Sequence, residues 1–255
     1  MTRTSPFWYS DADIRRKTER RKSDPVPTSP WTDGALPEGG MCNIHLVPPD
    51  TLVSFFSRCI SDLQALKGED IGDYLEFGVF NGSSMGSMHI ARAQAHSQNT
   101  MRLFGFDAFQ GLPEGSEHED AGVWQAGYYA CSFEEMQSCL KQRDIDPDDM
   151  HWIEGWYDET LTPHLVEQFN LANPGIVFID CDTYSSSKTV LDFIAPNINA
   201  PLIICLDDWK LNDLDLLGEG EYRAFNEFLD ENPHLRARRI QSYNRKSESF
   251  LITPP

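Results

Sequence analysis

Two short apolar runs that end in aspartates constrain the fold of this chain more than any other feature. Residues 175–179 lead into Asp180, and residues 201–206 lead into Asp207 and Asp208. Runs of this length are typical of buried parallel strands, and open α/β sheets bind ligands beyond the carboxyl ends of such strands. Because gathered carboxylates repel one another, we predict that a hard divalent cation lies between them.

Strand-like and helix-like segments alternate along most of the chain. Apolar residues at three- and four-residue spacing predict a helix from Pro49, and Ser132 with Glu135 forms a capping-box pattern before another. Strands are predicted at residues 74–79, 103–106, 150–153, 176–180 and 202–206, with closing strands at 237–243 and 249–252. Helices are predicted at residues 84–95, 133–141, 163–169, 186–194 and 221–230. This order predicts an α/β fold, a Rossmann-like doubly wound sheet with helices on both faces.

The 255 residues fit one large domain, which we place at residues 41–255. Residues 1–40 are rich in proline, serine and charge. They form either a solvated, flexible tail or an arm that closes over a site or a neighbouring subunit. Three adjacent aromatic residues, Phe7, Trp8 and Tyr9, keep the arm or lid interpretation open.

The net charge of −19 opposes binding to nucleic acid or to an anionic membrane surface. No apolar stretch approaches the 18 residues of a membrane span. None of the six cysteines forms a C-x-x-C pair, which argues against a zinc site or a disulfide framework. We therefore expect a cytoplasmic protein that acts on a small molecule.

A glycine turn follows the first predicted strand, with Glu76 on the strand and Gly78 and Gly82 in the turn. Glycines let the backbone approach a ligand, and the following helix offers free N–H groups. The spacing is not the G-x-G-x-x-G of a dinucleotide-binding loop. The carboxylate suits a ligand that carries ammonium or hydroxyl groups, although a purely structural turn stays open.

Two further motifs follow the next strands. Asp107 ends the strand at residues 103–106, where a carboxylate can accept hydrogen bonds from ribose hydroxyls; a turn or cap is the alternative. Gly155, Trp156 and Tyr157 follow the strand at residues 150–153, where an adenine could stack; aromatic packing under a loop is the alternative.

The aspartates at the strand ends supply three oxygen ligands of the kind that Mg²⁺ prefers. Adjacent residues of a regular strand point in opposite directions, so Asp207 and Asp208 converge only if the strand has already turned out of the sheet. The alternative is that one of the two caps the following segment.

In their order, these motifs resemble the macrocin O-methyltransferase family, the TylF-like sugar O-methyltransferases. The matching segments are residues 72–79 with Gly82, 105–113, 155–161, 180–187 and 207–209, within about residues 41–252. The resemblance implies a class I methyltransferase sheet of seven strands with the last antiparallel. It also implies S-adenosylmethionine and Mg²⁺ as cofactors, and methylation of a sugar hydroxyl on a natural product. Residues 1–40 and 117–129 are not matched.

The resemblance also implies roles for individual residues. The glycine turn lines the methionine part of the cofactor, the acid after the second strand holds ribose, and residues 155–157 flank adenine. The predicted cofactor-binding residues are Glu76, Gly78, Gly82, Ser83, Asp107, Ala108, Phe109, Gly155, Trp156, Tyr157 and Asp180. The predicted metal ligands are Asp180, Asp207 and Asp208.

The predicted reaction is metal-assisted methyl transfer, in which a carboxylate removes the proton of the acceptor hydroxyl. Asp182 is the predicted catalytic base, with Asp180 as the alternative. Thr183 stands where the catechol-type enzymes of the superfamily have a lysine, which disfavours a catechol acceptor. The expected partners are a glycosylated or polyhydroxylated small molecule and further copies of the chain, as a dimer or a higher homo-oligomer.

Two rival functions remain open at this point. A methyltransferase-like fold could serve hydroxylation, as in the cephalosporin hydroxylase group, or ligand binding alone. No histidine lies near the acidic cluster to complete an iron-binding facial triad. The missing G-x-G-x-x-G opposes the other rival, a nucleotide-sugar dehydrogenase.

Overall fold

The computed structural model describes residue 7, residues 40–95 and residues 101–255. The predicted arm, apart from Phe7 and Gly40, lies outside these described residues. Phe7 packs its ring against Phe225 and Phe250, and its carbonyl oxygen accepts a 2.7 Å hydrogen bond from the Tyr222 hydroxyl.

A seven-stranded sheet organises the described part of the chain, in the order β3-β2-β1-β4-β5-β7-β6. Its strands are β1 (Asp73–Phe77), β2 (Leu103–Asp107), β3 (His151–Glu154), β4 (Pro174–Ile179), β5 (Leu202–Leu206), β6 (Arg236–Ile240) and β7 (Glu248–Thr253). Neighbours among β1 to β5 pair in parallel, and β7 runs antiparallel to both β5 and β6. The predicted fold, with an antiparallel last strand, is confirmed.

Helices cover both faces of this sheet. They are α1 (Pro49–Lys67), α2 (Ser83–Gln94), α3 (Phe133–Gln142), α4 (Tyr157–Thr160), α5 (Pro163–Phe169), α6 (Tyr184–Ile194), α7 (Leu214–Leu217) and α8 (Gly220–Glu231). Single 3-10 turns occur at Met41–Asn43, Ser116–His118, Asp120–Gly122, Pro147–Asp149, Ala195–Asn197 and Leu211–Asp213. The predicted elements lie within three residues of the observed ones, whereas the four-residue helices α4 and α7 have no periodic signal and were not predicted.

Local sequence explains where two of the helices begin. Helix α1 starts with Pro49 at its first position, where the absent N–H needs no partner. Helix α3 starts with the predicted capping box: the Ser132 side chain accepts from the Glu135 amide, and the Glu135 carboxylate accepts from the Ser132 amide.

Two hydrophobic cores lie on opposite faces of the sheet. One joins α1, α2 and α3 to side chains such as Tyr74 and Phe178. The other joins α6 and α8 to side chains such as Phe77 and Phe106. Because strands β1, β4 and β5 are buried along their whole length, they are held rigidly, and the residues just beyond their carboxyl ends are well positioned.

The cysteine prediction is wrong for one pair. Cys42 and Cys139, which are 97 positions apart, form a disulfide with a Cα–Cα distance of 4.8 Å. Spacing along the chain does not reveal this pair because only the packing of the Met41–Asn43 turn against α3 brings the two thiols together. The bond ties the segment before α1 to the body of the domain.

Candidate active site

A cleft of about 1180 Å³ opens at the carboxyl ends of the parallel strands. Its floor is formed by the turns after β1, β2, β3, β4 and β5. Its walls come from the segment before α1, from the loop of residues 111–129, and from the hairpin between β6 and β7. Most of the predicted site residues line this cleft: Gly78, Ser83, Asp107, Ala108, Gly155, Trp156, Tyr157, Asp180, Asp182, Asp207 and Asp208.

The turn after β1 passes directly over the end of β4. Gly78 has a left-handed φ of 89°, and a Cβ atom placed there would lie 1.8 Å from the carbonyl oxygen of Asp180. The Asp180 amide donates a 2.8 Å hydrogen bond to the Phe77 carbonyl. A glycine is therefore required at this position, because any side chain would separate the glycine turn from the acidic cluster.

Three predicted cofactor residues do not reach the cleft surface. Gly82 precedes α2 and faces the side chain of Leu140, and Phe109 is packed against Phe133. Glu76 is fully buried beneath the turn, where it accepts hydrogen bonds from the hydroxyls of Tyr74 and, at 2.7 Å, Ser84. These residues shape the turn from below, and their contact with a cofactor stays a prediction.

Burial raises the pKa of Glu76 to about 8, although the hydrogen bonds from Tyr74 and Ser84 oppose the shift. Above pH 4.5 the unfolded carboxyl is ionised, while the native one keeps its proton until about pH 8. The free energy of unfolding should therefore fall by up to about 1.4 kcal/mol per pH unit across this window. Glu76→Gln should remove this slope and stabilise the protein by roughly 4 kcal/mol at pH 8, as measured by urea unfolding at pH 5 and pH 8.

Glu134→Gln provides a matched control, because Glu134 is exposed on α3. It should change the free energy of unfolding by less than about 0.5 kcal/mol at either pH. An unchanged pH slope in Glu76→Gln would contradict a buried, protonated carboxyl. Calorimetry of the same variant with S-adenosylmethionine tests whether Glu76 contacts the cofactor.

The carboxylate of Asp107 accepts hydrogen bonds from the glycine turn after β1 and so keeps the turn in place. One oxygen accepts from the amides of Val79 (2.7 Å) and Phe80 (3.0 Å), and the other accepts from the amide of Phe109 (2.7 Å). Burial raises the pKa of Asp107, and these amide hydrogen bonds oppose that rise. Asp107 also lines the cleft.

The turn after β3 brings the third motif into the same cleft. Gly155 has a φ of 139°, and its amide donates to the Asp107 carbonyl at 3.0 Å. Tyr157 packs edge-on against Phe77, and its hydroxyl lies 3.3 Å from the Phe106 carbonyl oxygen. Its ring is thus part of the core on one side and of the cleft on the other.

Asp180, Asp207 and Asp208 come together at the floor of the cleft. One carboxylate oxygen from each lies within 4.8 Å of the others. Strand β5 ends at Leu206, so Asp207 and Asp208 follow the strand rather than belong to it, and the alternation of strand side chains does not separate them.

The electrostatics of this cluster favour a bound cation. Burial, followed by repulsion from Asp207 and Asp208, raises the pKa of Asp180 well above its ordinary value. Burial and then Asp207 raise the pKa of Asp208 to about 7. A divalent cation would remove this repulsion, and an all-oxygen donor set fits a hard ion such as Mg²⁺.

Asp182 approaches the same cluster from the turn before α6. Its φ is 65°, a left-handed conformation that aspartate tolerates better than most residues. Burial and then the neighbouring Asp208, to which it is hydrogen-bonded, raise the pKa of Asp182. The side chain is thus next to the three clustered aspartates without being one of them, and the raised pKa suits a group that takes up a proton.

Several residues that support the cluster had no signal in the sequence. The Tyr243 hydroxyl donates to Asp207, and the fully buried Glu221 accepts from the Asp208 amide at 2.9 Å. Burial raises the pKa of both Asp207 and Asp208, and Lys246, on the hairpin after β6, opposes this rise. These contacts join residues that are 13 to 39 positions apart, so a motif search along the chain does not detect them.

The sheet order, the antiparallel β7 and the ligand cleft at the strand ends define a class I methyltransferase fold. The family model described as Macrocin-O-methyltransferase (TylF) matches residues 54–231. The chain therefore belongs to this family of O-methyltransferases, and the predicted resemblance is confirmed.

Solved structures agree on the fold. The O-methyltransferase NovP shares 18% identity over 79% of each chain, with a TM-score of 0.63. CalS11, a calicheamicin methyltransferase, shares 22% identity over 95% of this chain and 93% of its own, with a TM-score of 0.59. An O-methyltransferase from Bacillus cereus in complex with SAH shares 14% identity over 96% and 92% of the two chains, with a TM-score of 0.53. The comparison with curated proteins found no match.

Proposed function

We propose that this enzyme transfers the methyl group of S-adenosylmethionine to a hydroxyl of a glycosylated or polyhydroxylated natural product, with the help of Mg²⁺. The observation that carries this proposal is the cluster of Asp180, Asp207 and Asp208, which lies in the same cleft as the cofactor turn. One structural neighbour is described as a TDP-rhamnose 3'-O-methyltransferase of calicheamicin biosynthesis, which supports a sugar hydroxyl as the acceptor.

The cofactor half of the cleft is formed by the turns after β1, β2 and β3. Gly78 and Ser83 would contact the methionine part, Asp107 would accept from a ribose hydroxyl, and Trp156 and Tyr157 would flank adenine. Asp180 lies where this half meets the acidic cluster. Glu76, Gly82 and Phe109 would act from beneath by fixing the shape of the turns.

The carboxylates of Asp180, Asp207 and Asp208 would hold the metal. Bound Mg²⁺ would lower the pKa of the acceptor hydroxyl and orient it. Tyr243 keeps Asp207 in place by donating to it, and Glu221 fixes the Asp208 backbone.

Asp182 would act as the catalytic base. The proton of the acceptor hydroxyl passes to its carboxylate while a new O–CH₃ bond forms and the S–CH₃ bond breaks. S-adenosylmethionine supplies the methyl group and leaves as S-adenosylhomocysteine. Because the site is a buried pocket at rigid strand ends, much of the rate should come from positioning.

The acceptor half is bounded by residues 111–129, which we call the acceptor loop. Leu112, Pro113, Tyr128 and Tyr129 of this loop line the cleft. Burial, and then the charges of the four aspartates of the cleft, raise the pKa of Tyr129. Because Tyr129 lines the same cleft as these aspartates, its ring would offer an apolar face to a sugar ring.

Tyr129→Ala should raise the KM of the acceptor by about threefold to tenfold, because the ring contact is lost. Tyr129→Phe, the matched control, keeps the ring and should stay close to the wild-type value. Steady-state kinetics with an acceptor that the enzyme methylates checks both. Equal KM values in the two variants would show that the ring does not contact the acceptor.

The proposed function is tested by incubating the protein with labelled S-adenosylmethionine and a panel of glycosylated acceptors, with Mg²⁺ or with excess chelator. Label should enter a sugar hydroxyl, and transfer should stop in chelator and resume when Mg²⁺ is restored. Full transfer in chelator would exclude the metal. Calorimetry that detects no binding of S-adenosylmethionine or S-adenosylhomocysteine would exclude the cofactor assignment.

Three further expectations are part of the proposal. Residues 1–40 form an arm before the domain at residues 41–255, the enzyme assembles as a homo-oligomer, and it works in the cytoplasm. No helix among the described residues is long and apolar enough to cross a membrane.

Thiol titration of protein isolated under non-reducing conditions would test the cytoplasmic location, because a disulfide such as Cys42–Cys139 is uncommon in a reducing compartment.

A further inference from the structure

The acceptor loop is a closed structure rather than an open connection. The Leu112 amide donates to the Tyr128 carbonyl at 2.9 Å, and the Gly127 amide donates to the Leu112 carbonyl at 2.8 Å. Gly111 is packed so tightly that a Cβ atom there would lie 2.6 Å from the Tyr128 carbonyl oxygen. The two ends of the loop are therefore joined to each other, and the contacts of its middle residues fix its position on the domain.

The buried carboxylate of Asp120 joins the middle of the loop to the rest of the domain. Asp120 accepts three hydrogen bonds: from the Tyr184 amide at 2.8 Å, from the Gly220 amide at 2.8 Å, and from the Trp124 indole N–H at 3.1 Å. Only the last of these donors belongs to the loop. The neighbouring Glu119 adds contacts to the amide and hydroxyl of Ser185, at 2.9 Å and 2.8 Å.

The two amide donors begin helices α6 and α8, which come after β4 and β5; the short helix α7 lies between β5 and α8. Tyr184 is the first residue of α6, two positions after Asp182. Gly220 is the first residue of α8, and the next residue, Glu221, accepts from the Asp208 amide. First-turn amides have no acceptor within their own helix, and a carboxylate is stabilised at helix N-termini. Asp120 thus joins the two sides of the carboxylate cluster.

The backbone at this point shows that the contact is enforced. Asp120 and Ala121 both adopt left-handed conformations, with φ values of 50° and 58°. Two successive non-glycine residues in this region are unfavourable and persist only where surrounding contacts hold them. The three hydrogen bonds of Asp120 and the contacts of Glu119 are the contacts available to do so.

We propose that Asp120 is a positioning residue that couples the acceptor loop to both strand ends carrying the metal-binding aspartates. Through this coupling it sets the distance between the acceptor wall and the carboxylate cluster. The inference rests on the proposed metal-assisted function for its catalytic consequence, although the coupling itself is a property of the fold.

Asp120→Asn tests the coupling, because the amide cannot accept from all three donors at once. Trp124→Phe is the matched control: it removes the donor inside the loop and leaves both helix contacts. In Asp120→Asn, hydrogen exchange should accelerate in residues 111–129, 183–187 and 207–222 together. In Trp124→Phe it should accelerate in the loop alone.

With S-adenosylhomocysteine bound, the Kd of Mn²⁺ should rise at least about tenfold in Asp120→Asn and less than twofold in Trp124→Phe. The Kd of S-adenosylhomocysteine should stay within about twofold of wild type in both variants.

Faster exchange confined to the loop in Asp120→Asn would overturn the proposal. If the wild type binds no Mn²⁺, the metal assignment fails, and exchange at the two helix starts still decides the coupling. If Asp120→Asn does not fold, the coupling is tested in the wild type by measuring amide hydrogen exchange with NMR. The amides of Tyr184 and Gly220 should exchange at least tenfold more slowly than their intrinsic rates, and exchange at the intrinsic rates would overturn the inference.

Discussion

Asp208→Asn is expected to lower kcat by roughly a thousandfold or more, since loss of one metal-binding carboxylate removes several kcal/mol of transition-state stabilisation. The Kd of S-adenosylmethionine should change less than about twofold, because Asp208 follows β5, whereas the proposed cofactor half is formed by the turns after β1, β2 and β3. Steady-state kinetics, with calorimetry of the cofactor, would separate the two quantities.

Asp192→Asn is the control for this experiment. Asp192 is exposed on α6 and, among the residues that the structure describes, pairs with Lys188 at 2.5 Å, so its loss should leave kcat unchanged within about twofold. An Asp208→Asn enzyme that keeps its kcat would remove Asp208 from the metal site. A variant that loses affinity for S-adenosylmethionine by tenfold or more would place Asp208 in the cofactor half instead.

Asp182→Asn should lower kcat by about 10²- to 10⁴-fold, the range for removal of a general base. Mg²⁺ and S-adenosylmethionine should still bind, because Asp182 is not one of the three clustered ligands. The base must lose its proton to act, so wild-type kcat should rise with pH through the pKa of Asp182, which burial holds above its ordinary value. The variant should lose this rise.

Asp180→Asn separates the two candidate bases. Asp180 belongs to the oxygen cluster, so its replacement should weaken Mg²⁺ binding as well as catalysis. If Asp182→Asn weakens Mg²⁺ binding while keeping its kcat at saturating metal, then the ligand and base assignments are exchanged. A pH–rate profile that keeps its rise in Asp182→Asn would lead to the same conclusion.

Much of the fold could be predicted because its signals are local. The strand 202–206 and the helix 163–169 were predicted with their observed bounds, since apolar runs, proline and capping residues mark them directly. The convergence of Asp180, Asp207 and Asp208 also followed from local signals. Parallel strands end at one edge of the sheet, so residues just after neighbouring strands must meet there.

Other parts of the site could not be predicted, because they depend on contacts between distant segments. Asp120 lies 64 positions from Tyr184 and 100 positions from Gly220, in residues 117–129, the part of the loop that no motif covers. Cys42 and Cys139 meet only because the segment before α1 packs on α3. Glu76 belongs to a recognisable motif, but its burial beneath the turn depends on Tyr74 and Ser84.

The sequence by itself determined the class of fold, the family and the acidic cluster, because each depends on residue order and on the periodicity of strands and helices. Only the tertiary structure decided that Glu76 lies beneath the glycine turn, that Asp182 lies beside the clustered aspartates, and that Asp120 joins the acceptor loop to two helices. These depend on the backbone φ values of individual turns and on hydrogen bonds between remote residues. The order of residues along the chain does not reveal these φ values or these hydrogen bonds.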